Sequence, residues 1–386
     1  MWRRLVDLFT SLKLTMICLA TAMVLIFAGT LAQVHLGIHE AQERYFQSFF
    51  VWWPPDGHGF KIPVFPGGHL IGAVLLVNLV AAHLKRFRWA WRKRGIHLTH
   101  AGLIVMLAGG LFTDLFAVES HMRLSGGETK NYSEDSRRTE LAVIDLSNGQ
   151  FDQVTAIPEA VLRRDRVIDV WSLPFRIVVK NYYQNARLKM LREAGSGAQP
   201  VANQGPGAMI AVEPAPHATG IDERDVTSAA IEIVPKQSER PLGTWLVSAA
   251  LGAPQTFSCD GRTWMVMLRP TRYYKSYSVT LQKFTHERYP GTEIPKDFSS
   301  RITLTDPERS VTRDVLIYMN HPLRYRGETY YQAGFQKDDS ATILQVVHNP
   351  SFLAPYVACV VVAAGLLVQF GYHLVGFSRK RRAALS

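Results

Sequence analysis

The chain has 386 residues, of which 47% are hydrophobic, and 43 Lys and Arg against 32 Asp and Glu give a net charge of +11. That length exceeds one ordinary domain, yet the apolar share is too small for a many-span transporter, so hydrophobicity must be concentrated in a few segments. The densest basic groups flank apolar runs, where they act as topology signals, and this argues against nucleic acid as a partner.

Residues Leu12 to Ala32 predict a first membrane helix, with Arg3, Arg4 and Lys13 on its leading side. A cleaved signal peptide is the alternative. The apolar core from Leu14 to Leu31 is longer than the roughly 7 to 15 residues of a signal h-region, so a retained span is expected. From Val34 to Pro66 the sequence reads as a polar and aromatic loop carrying His35, His39 and His58. Its cluster Phe49, Phe50, Trp52 and Trp53 has the character of a membrane-interface belt.

A second span is expected over residues 67–84, with His69 at its start, Asn78 inside and His83 at its end. Lys85, Arg86, Arg88, Arg92, Lys93 and Arg94 follow without an acidic residue. By the positive-inside rule this short loop is cytoplasmic. The third span, residues 97–116, lies in the run GIHLTHAGLIVMLAGGLFT, where His97 and His100 share a helical face because residues three apart are neighbours on a helix. An ionisable side chain inside a span is a functional hypothesis by default. The fourth span, residues 352–377, carries His373 and precedes Arg379, Lys380, Arg381 and Arg382. Four spans with both termini cytoplasmic place residues 119–350 outside.

That outer region is not a helix bundle. Glu140 to Leu146, Phe175 to Lys180, Ala229 to Val234, Thr263 to Leu268, Tyr277 to Phe284, Arg301 to Leu304 and Thr329 to Phe335 are short runs rich in Val, Ile, Thr and aromatics, separated by turn residues. They predict an antiparallel β domain, sandwich or barrel-like. Leu173 to Leu188 and Tyr277 to Thr292 have the loose look of a repeat. Between about Glu193 and Asp225 the composition turns to Gly, Ala, Pro and Gln, which predicts a mobile insertion. Splitting the region there gives two lobes, although strands from both sides could equally pair in one sheet. The fold class expected is therefore an integral membrane α-helical protein with four transmembrane helices and a large, mainly β extracytoplasmic domain. Residues 1–118 form the first membrane region and 351–386 the last.

The chain holds no CxxC pair, C-x-x-C-H site, Walker loop, G-x-S-x-G elbow or H-E-x-x-H motif, and of its cysteines only Cys259 falls outside an apolar run. Disulfide exchange, covalent heme carriage by this chain and self-contained hydrolase or ATPase chemistry are therefore not expected.

The opening SLKLTMICLATAMVLIFAGTLAQ, the second-span ending NLVAAHLKRF, the HLTHAGLIVMLAGGL start of the third span, and the late runs YPGTEIPKDFSSRITLTD and YMNHPLRYRGETYYQAGFQ together resemble the ResB-like (CcsB, or Ccs1) cytochrome c biogenesis proteins. The resemblance covers nearly the whole chain apart from the Gly/Pro insertion. It implies System II cytochrome c maturation, in which heme crosses the cytoplasmic (inner) membrane and is attached to CXXCH motifs of an apocytochrome c outside. It also implies a CcsA/ResC-type heme-handling partner and a thiol reductase of the ResA/CcsX type. No tryptophan-rich WWD segment is present here, so this chain is expected to be an accessory subunit of the synthase and not a complete enzyme.

Heme iron takes neutral imidazole nitrogen, commonly one from each of two helices. His83, His97, His100 and His373 all fall at the cytoplasmic ends of spans and are the candidate ligands for a non-covalent heme b at an interface with the partner. His100 leads, since it lies roughly 9 Å along the helix axis from Arg94 and so deepest in the apolar run. The competing role for His100 is a hydrogen bond to a backbone carbonyl or to Asn78. Lys85, Arg86, Arg88 and Arg92 are available for heme propionates or act only as topology signals. His321, Pro322, Arg324, Tyr325, Arg326, Tyr330 and Tyr331 read as a turn and strand of the β domain. Two other functions stay open: a scaffold that binds partner and apocytochrome without touching heme, and a b-type electron carrier using His100 with His83 or His373.

Overall fold

The computed structural model describes residues 2–53, 60–86, 93–194, 199–218, 224–238, 240–292, 295–336 and 339–385. The chain divides into two units, Met1–Val118 with His348–Ser386, and Glu119–Val347. Among the described residues the α-helices are α1 (Trp2–Phe9), α2 (Leu12–Ala41), α3 (Gly68–Arg86), α4 (Arg94–Phe116), α5 (Glu159–Arg164) and α6 (Ala354–Leu385). Four of them, α2, α3, α4 and α6, are long and apolar enough to cross a bilayer. Their outward apolar side chains, such as Met23, Phe27 and Leu367, lie exposed on the protein, as lipid-facing residues must.

Helix α2 runs further than the sequence predicts. It continues through His35 to Ala41, with a kink at Gly37, whose φ of 76° needs no Cβ penalty. A π-helical turn, Gln42–Phe46, follows, and the chain then forms the hairpin of β1 (Phe50–Trp53) and β2 (Ile62–Pro66). The stretch expected as a loop is thus helix and hairpin. Val51 and Phe65 pack with Tyr45, Phe46 and Ile71, which supplies the apolar burial that a polar loop would lack. His35 is exposed on α2, and His58 lies outside the described residues.

The second unit is built on β3 (Val118–Ser125), β4 (Thr129–Asp145), β5 (Gln153–Pro158), β6 (Val167–Ile168), β7 (Phe175–Tyr183), β8 (Ala186–Met190), β9 (Ile210–Pro214), β10 (Ser228–Pro235), β11 (Gly243–Ser248), β12 (Gln255–Cys259), β13 (Arg262–Arg288), β14 (Pro295–Asp306), β15 (Val311–Tyr318), β16 (Leu323–Tyr325), β17 (Glu328–Phe335) and β18 (Ala341–His348). Ten of these form one sheet in the order β15-β14-β13-β4-β3-β18-β17-β16, with β12 beside β13 and β5 beside β4. A second sheet has the order β11-β10-β7-β6.

Strand β13 joins what the sequence separates into two strands. Its register against β4 jumps between Pro270 and Arg272, and this bulge accommodates a proline that cannot donate to the ladder. Before the bulge, Trp264, Val266 and Leu268 pack with Leu141 and Val143 of β4 against Phe175, Ile177, Ile231 and Trp245 of the four-stranded sheet, a sandwich core. After it, Tyr277, Val279 and Leu281 join Leu124, Ile302, Ile317, Tyr330 and Leu344. Strands from both ends of the ten-stranded sheet feed that second core, so the sheet curls around it.

The segment expected as a mobile insertion is structured over residues 199–218. A 3₁₀ turn, Gly205–Met209, leads into β9, which pairs with β8, and Ala202 and Ile210 bury against Leu246 of β11. Its few apolar residues do not make a core of their own. They borrow one from β11, which window-averaged composition cannot register. The pairing of β4 with β13, one before the insertion and one after it, resolves the question of two lobes in favour of a shared sheet.

Candidate functional site

Helix α4 has two working faces. At 3.6 residues per turn, Gly95, Gly102 and Gly109 fall within about 40° of one another, and His97 and His100 lie roughly 170° away from them. The glycine face carries α6: a Cβ at Gly95 would lie 2.6 Å from the Gly365 carbonyl, one at Gly102 2.6 Å from Val362, and one at Gly109 2.4 Å from Ala354. Small residues at seven-residue spacing let the two backbones approach, as membrane helices do where packing replaces the hydrophobic effect. Gly110, next to Gly109 in the chain, faces open space.

The opposite face brings the histidines together. His83, three residues before the end of α3, meets His97 with ring centroids 5.3 Å apart and His100 with centroids 6.0 Å apart, in nearly perpendicular edge contacts of 88° and 78°. All three rings are half-buried. Among the described residues no three His, Cys, Asp or Glu side chains converge well enough to hold a bare metal ion. The cluster instead offers separate imidazole nitrogens at the edge of an apolar helix pair. A group that brings its own equatorial ligands and needs one axial nitrogen fits this donor set, whereas an ion needing three or four protein ligands does not.

His373 is not part of the cluster. It sits exposed on α6, 2.8 Å from the amide nitrogen of Gln369, and α6 packs on the glycine face of α4. Asn78 is not a partner for His100 either. Its amide donates to the Phe9 and Ser11 carbonyls at 2.8 and 3.2 Å and its oxygen accepts from Thr15 at 2.6 Å, so it ties the α1–α2 elbow to α3. Lys85 is 2.5 Å from Asp7, and Arg88 and Arg92 lie outside the described residues.

The far ends of the same helices hold a polar group that sequence reasoning missed. Asp114 of α4 bonds His69 at the start of α3 and accepts from Gln47 at 3.1 Å, and the Phe49 ring lies 5.7 Å from that of His69. Its signal in the sequence is that Asp114 is the single acidic residue in α4, an ionisable side chain within a span.

In the β unit, the MNHPLRYRGETYY stretch forms a tight hairpin. Arg326 and Gly327, at φ 47° and 81°, make the two-residue turn between β16 and β17. Glu328 then receives Lys275 at 2.6 Å and the Tyr277 hydroxyl, which lies 2.7 Å from that of Tyr330. Burial, reinforced by that carboxylate, pushes the Tyr277 and Tyr330 hydroxyls well above the usual tyrosine range. Tyr325 and Arg326 reach Asp306 at 2.5 and 2.9 Å. Burial works against the Asp306 carboxylate, but these donors and the Arg309 N–H together hold its pKa below the ordinary value.

Residues 252–343, from before β12 into β18, match the model of the ResB-like family. A 91-residue stretch is 32% identical to the protein NrfI of Wolinella succinogenes and covers 24% of this chain and 10% of that one. A 115-residue stretch is 34% identical to the cytochrome c biogenesis protein CcsB of a Synechococcus species and covers 28% of this chain and 25% of that one. The alignments thus span no more than a quarter of either relative's length. Over these residues they bear out the ResB-like resemblance read from the sequence.

Proposed function

We propose that this chain, ResB-like over residues 252–343, serves cytochrome c biogenesis as a membrane subunit that takes up heme at the cytoplasmic ends of α3 and α4 and helps present it for attachment outside. The observation that carries the reading is the meeting of His83 with His97 and His100 on the face of α4 that α6 leaves uncovered. Lys85, Arg86, Lys93 and Arg94 mark that end of the helices as cytoplasmic, where heme is made. In this scheme His100 would hold the heme iron; His83 meets both His100 and His97 edge-on, and His83 and His97 stand as alternative donors.

Bound heme supplies the iron porphyrin that is joined to the CXXCH cysteines of an apocytochrome c. This chain's own residues do the holding. The glycine face of α4 fixes the helix rotation that aims His100 away from α6. A CcsA/ResC-type partner supplies the second ligand and the attachment machinery, a ResA/CcsX-type reductase keeps the apocytochrome thiols reduced, and the β unit faces outside to guide apocytochrome or hold the partner.

The test is the Soret spectrum of the full chain, purified with and without a CcsA-type partner, repeated with His100→Ala. Loss of most heme in the variant is expected. Undiminished heme together with normal cytochrome c maturation would eliminate the ligand assignment and leave the scaffold reading. A second reading, a b-type electron carrier, is favoured by one observation: His83 and His100 lie within 6.0 Å of each other in one chain. Heme held as tightly by the isolated chain as by the complex would select it.

A further inference from the structure

The β unit contains a histidine that no feature of the membrane site explains. His286, near the end of β13, has only 3% of its side chain exposed. Its Nδ1–H donates to Asp339 at 2.8 Å, and the other oxygen of that carboxylate receives Arg288 at 2.9 Å. In the neutral ring this hydrogen bond places the proton on Nδ1 and leaves the lone pair on Nε2, across the ring from Asp339. Nε2 is buried and has no hydrogen-bond partner among the described residues. Buried polar atoms are nearly always paired, so an orphaned acceptor of this kind calls for a function.

The surroundings say what kind of ligand that acceptor suits. The Phe335 ring lies 4.1 Å from the imidazole and Phe284 6.4 Å from it, while Phe298, the register partner of His286 on β14, stands 5.3 Å from Phe335. All three phenylalanines are half-buried, so together they form an apolar patch that reaches the surface. A carboxylate–histidine pair whose second nitrogen is bare is the arrangement that orients imidazole toward a metal and raises its basicity. Among the described residues no second and third ligand accompany it, which excludes a bare transition-metal ion. A metalloporphyrin supplies four nitrogens of its own, needs one axial ligand, and presents flat apolar faces and two carboxylates.

We propose that His286 is an axial ligand for heme in the β unit, with Asp339 as its positioning residue, Phe284, Phe298 and Phe335 as the apolar cradle, and Arg288 placed to meet a propionate. Phe335 rests on the imidazole, so its half-buried ring would have to turn aside for heme to reach Nε2. This deepens the heme-handling reading by giving the β unit its own acceptor site, separate from His83, His97 and His100. All six residues lie within the stretch that matches the ResB-like family model.

The experiment uses the full chain in detergent, titrated with ferric heme and followed by the Soret band, in a background carrying His83→Ala, His97→Ala and His100→Ala. One equivalent of heme is expected to bind in that background and to be lost on adding His286→Gln. Adding Asp339→Asn in place of His286→Gln, which leaves the imidazole intact, is expected to weaken binding roughly 10-fold or more and to shift the Soret band. Matching thermal melts exclude unfolding as the cause, and Asp339→Asn carries the test if the His286 variant fails to fold. Absence of heme binding in the background, or binding unchanged by both further substitutions, overturns the proposal. If the three-histidine variant binds as much heme as the unsubstituted chain, the membrane ligand is refuted instead, so the two failures are distinguishable.

Discussion

Gly95→Ala is the sharpest probe of how α4 works, because it adds one methyl group without touching a histidine. The new Cβ would meet the Gly365 carbonyl oxygen at 2.6 Å and the Gln369 amide nitrogen at 2.7 Å, both backbone atoms that no rotamer change can move. Ordinary contact begins near 3.5 Å, so α4 and α6 must part by roughly 0.9 Å there. Overpacking of this kind costs about 1 to 3 kcal/mol. A loss of about 2 kcal/mol changes the folded-to-unfolded ratio by a factor of roughly 30. Gly110→Ala is the matched control, since its Cβ would meet nothing within 4 Å. The assay is unfolding of the full chain in mixed micelles at rising denaturing-detergent fraction, with heme content read in parallel. Gly95→Ala is expected to unfold earlier and to retain less heme, and Gly110→Ala to match the parent chain. Equal behaviour of the two variants would refute the claim that the glycine face sets the rotation of α4.

Two further outcomes follow from the β unit. Arg269 and Glu140 form a 3.0 Å pair across β13 and β4 with side chains only 5% and 7% exposed. Arg269→Met strands the carboxylate and is expected to cost about 3 to 5 kcal/mol, while pairing it with Glu140→Leu recovers most of the loss; strictly additive effects in a double-mutant cycle would contradict this. Acid is expected to weaken the β unit in two steps. Burial holds the His121 pKa below the ordinary 6.5, with the nearby Arg224 charge adding to the effect and Glu119 and Asp135 opposing it. The unfolded chain therefore takes up that proton first, and stability falls as pH drops below about 6.5. The Asp145 carboxylate is held below the ordinary 3.8 by the Ser147 hydroxyl, then its N–H and Arg262, against opposing burial. Its contribution is present above about 3.8 and is lost as pH falls further. Hydrogen exchange of β3 and β4 across this range, with His121→Gln expected to remove the upper step alone, checks the assignment.

Much of the architecture is legible in the sequence because its signals are local. Four apolar runs bounded by basic residues specify four membrane helices, and alternation of the kind seen in Phe175–Tyr183 specifies strands. Pairing is not local. Nothing in the residues themselves says that β13 runs unbroken through Pro270, because a proline inside a strand ordinarily argues for a boundary. Only the slip in its register on β4, where Pro270 pairs with Thr139 but Arg272 with Glu134, shows how the ladder tolerates it. The insertion fails for the same reason in reverse. Residues 199–218 are read as mobile from their own composition, whereas their order depends on Leu246, some forty residues later in the chain.

The site divides along similar lines. Helical spacing alone puts His97 and His100 on one face, and the sequence places His83 at the same membrane depth. Depth, however, is a single coordinate, and it admits His373 equally. Rotation about each helix axis separates them, and rotation is set by the glycines, whose contribution depends on which helix they meet. Once Gly95 and Gly365 fix the α4–α6 crossing, His100 must look away from α6, and His83 on α3 is the histidine that can reach it. His286 was invisible to the same reasoning because its partner Asp339 lies 53 residues away and its isolation is a property of the folded unit, not of any motif. Ionisable residues in spans announce themselves by composition, whereas one in a β domain is exceptional only when folding leaves its nitrogen buried and unmatched.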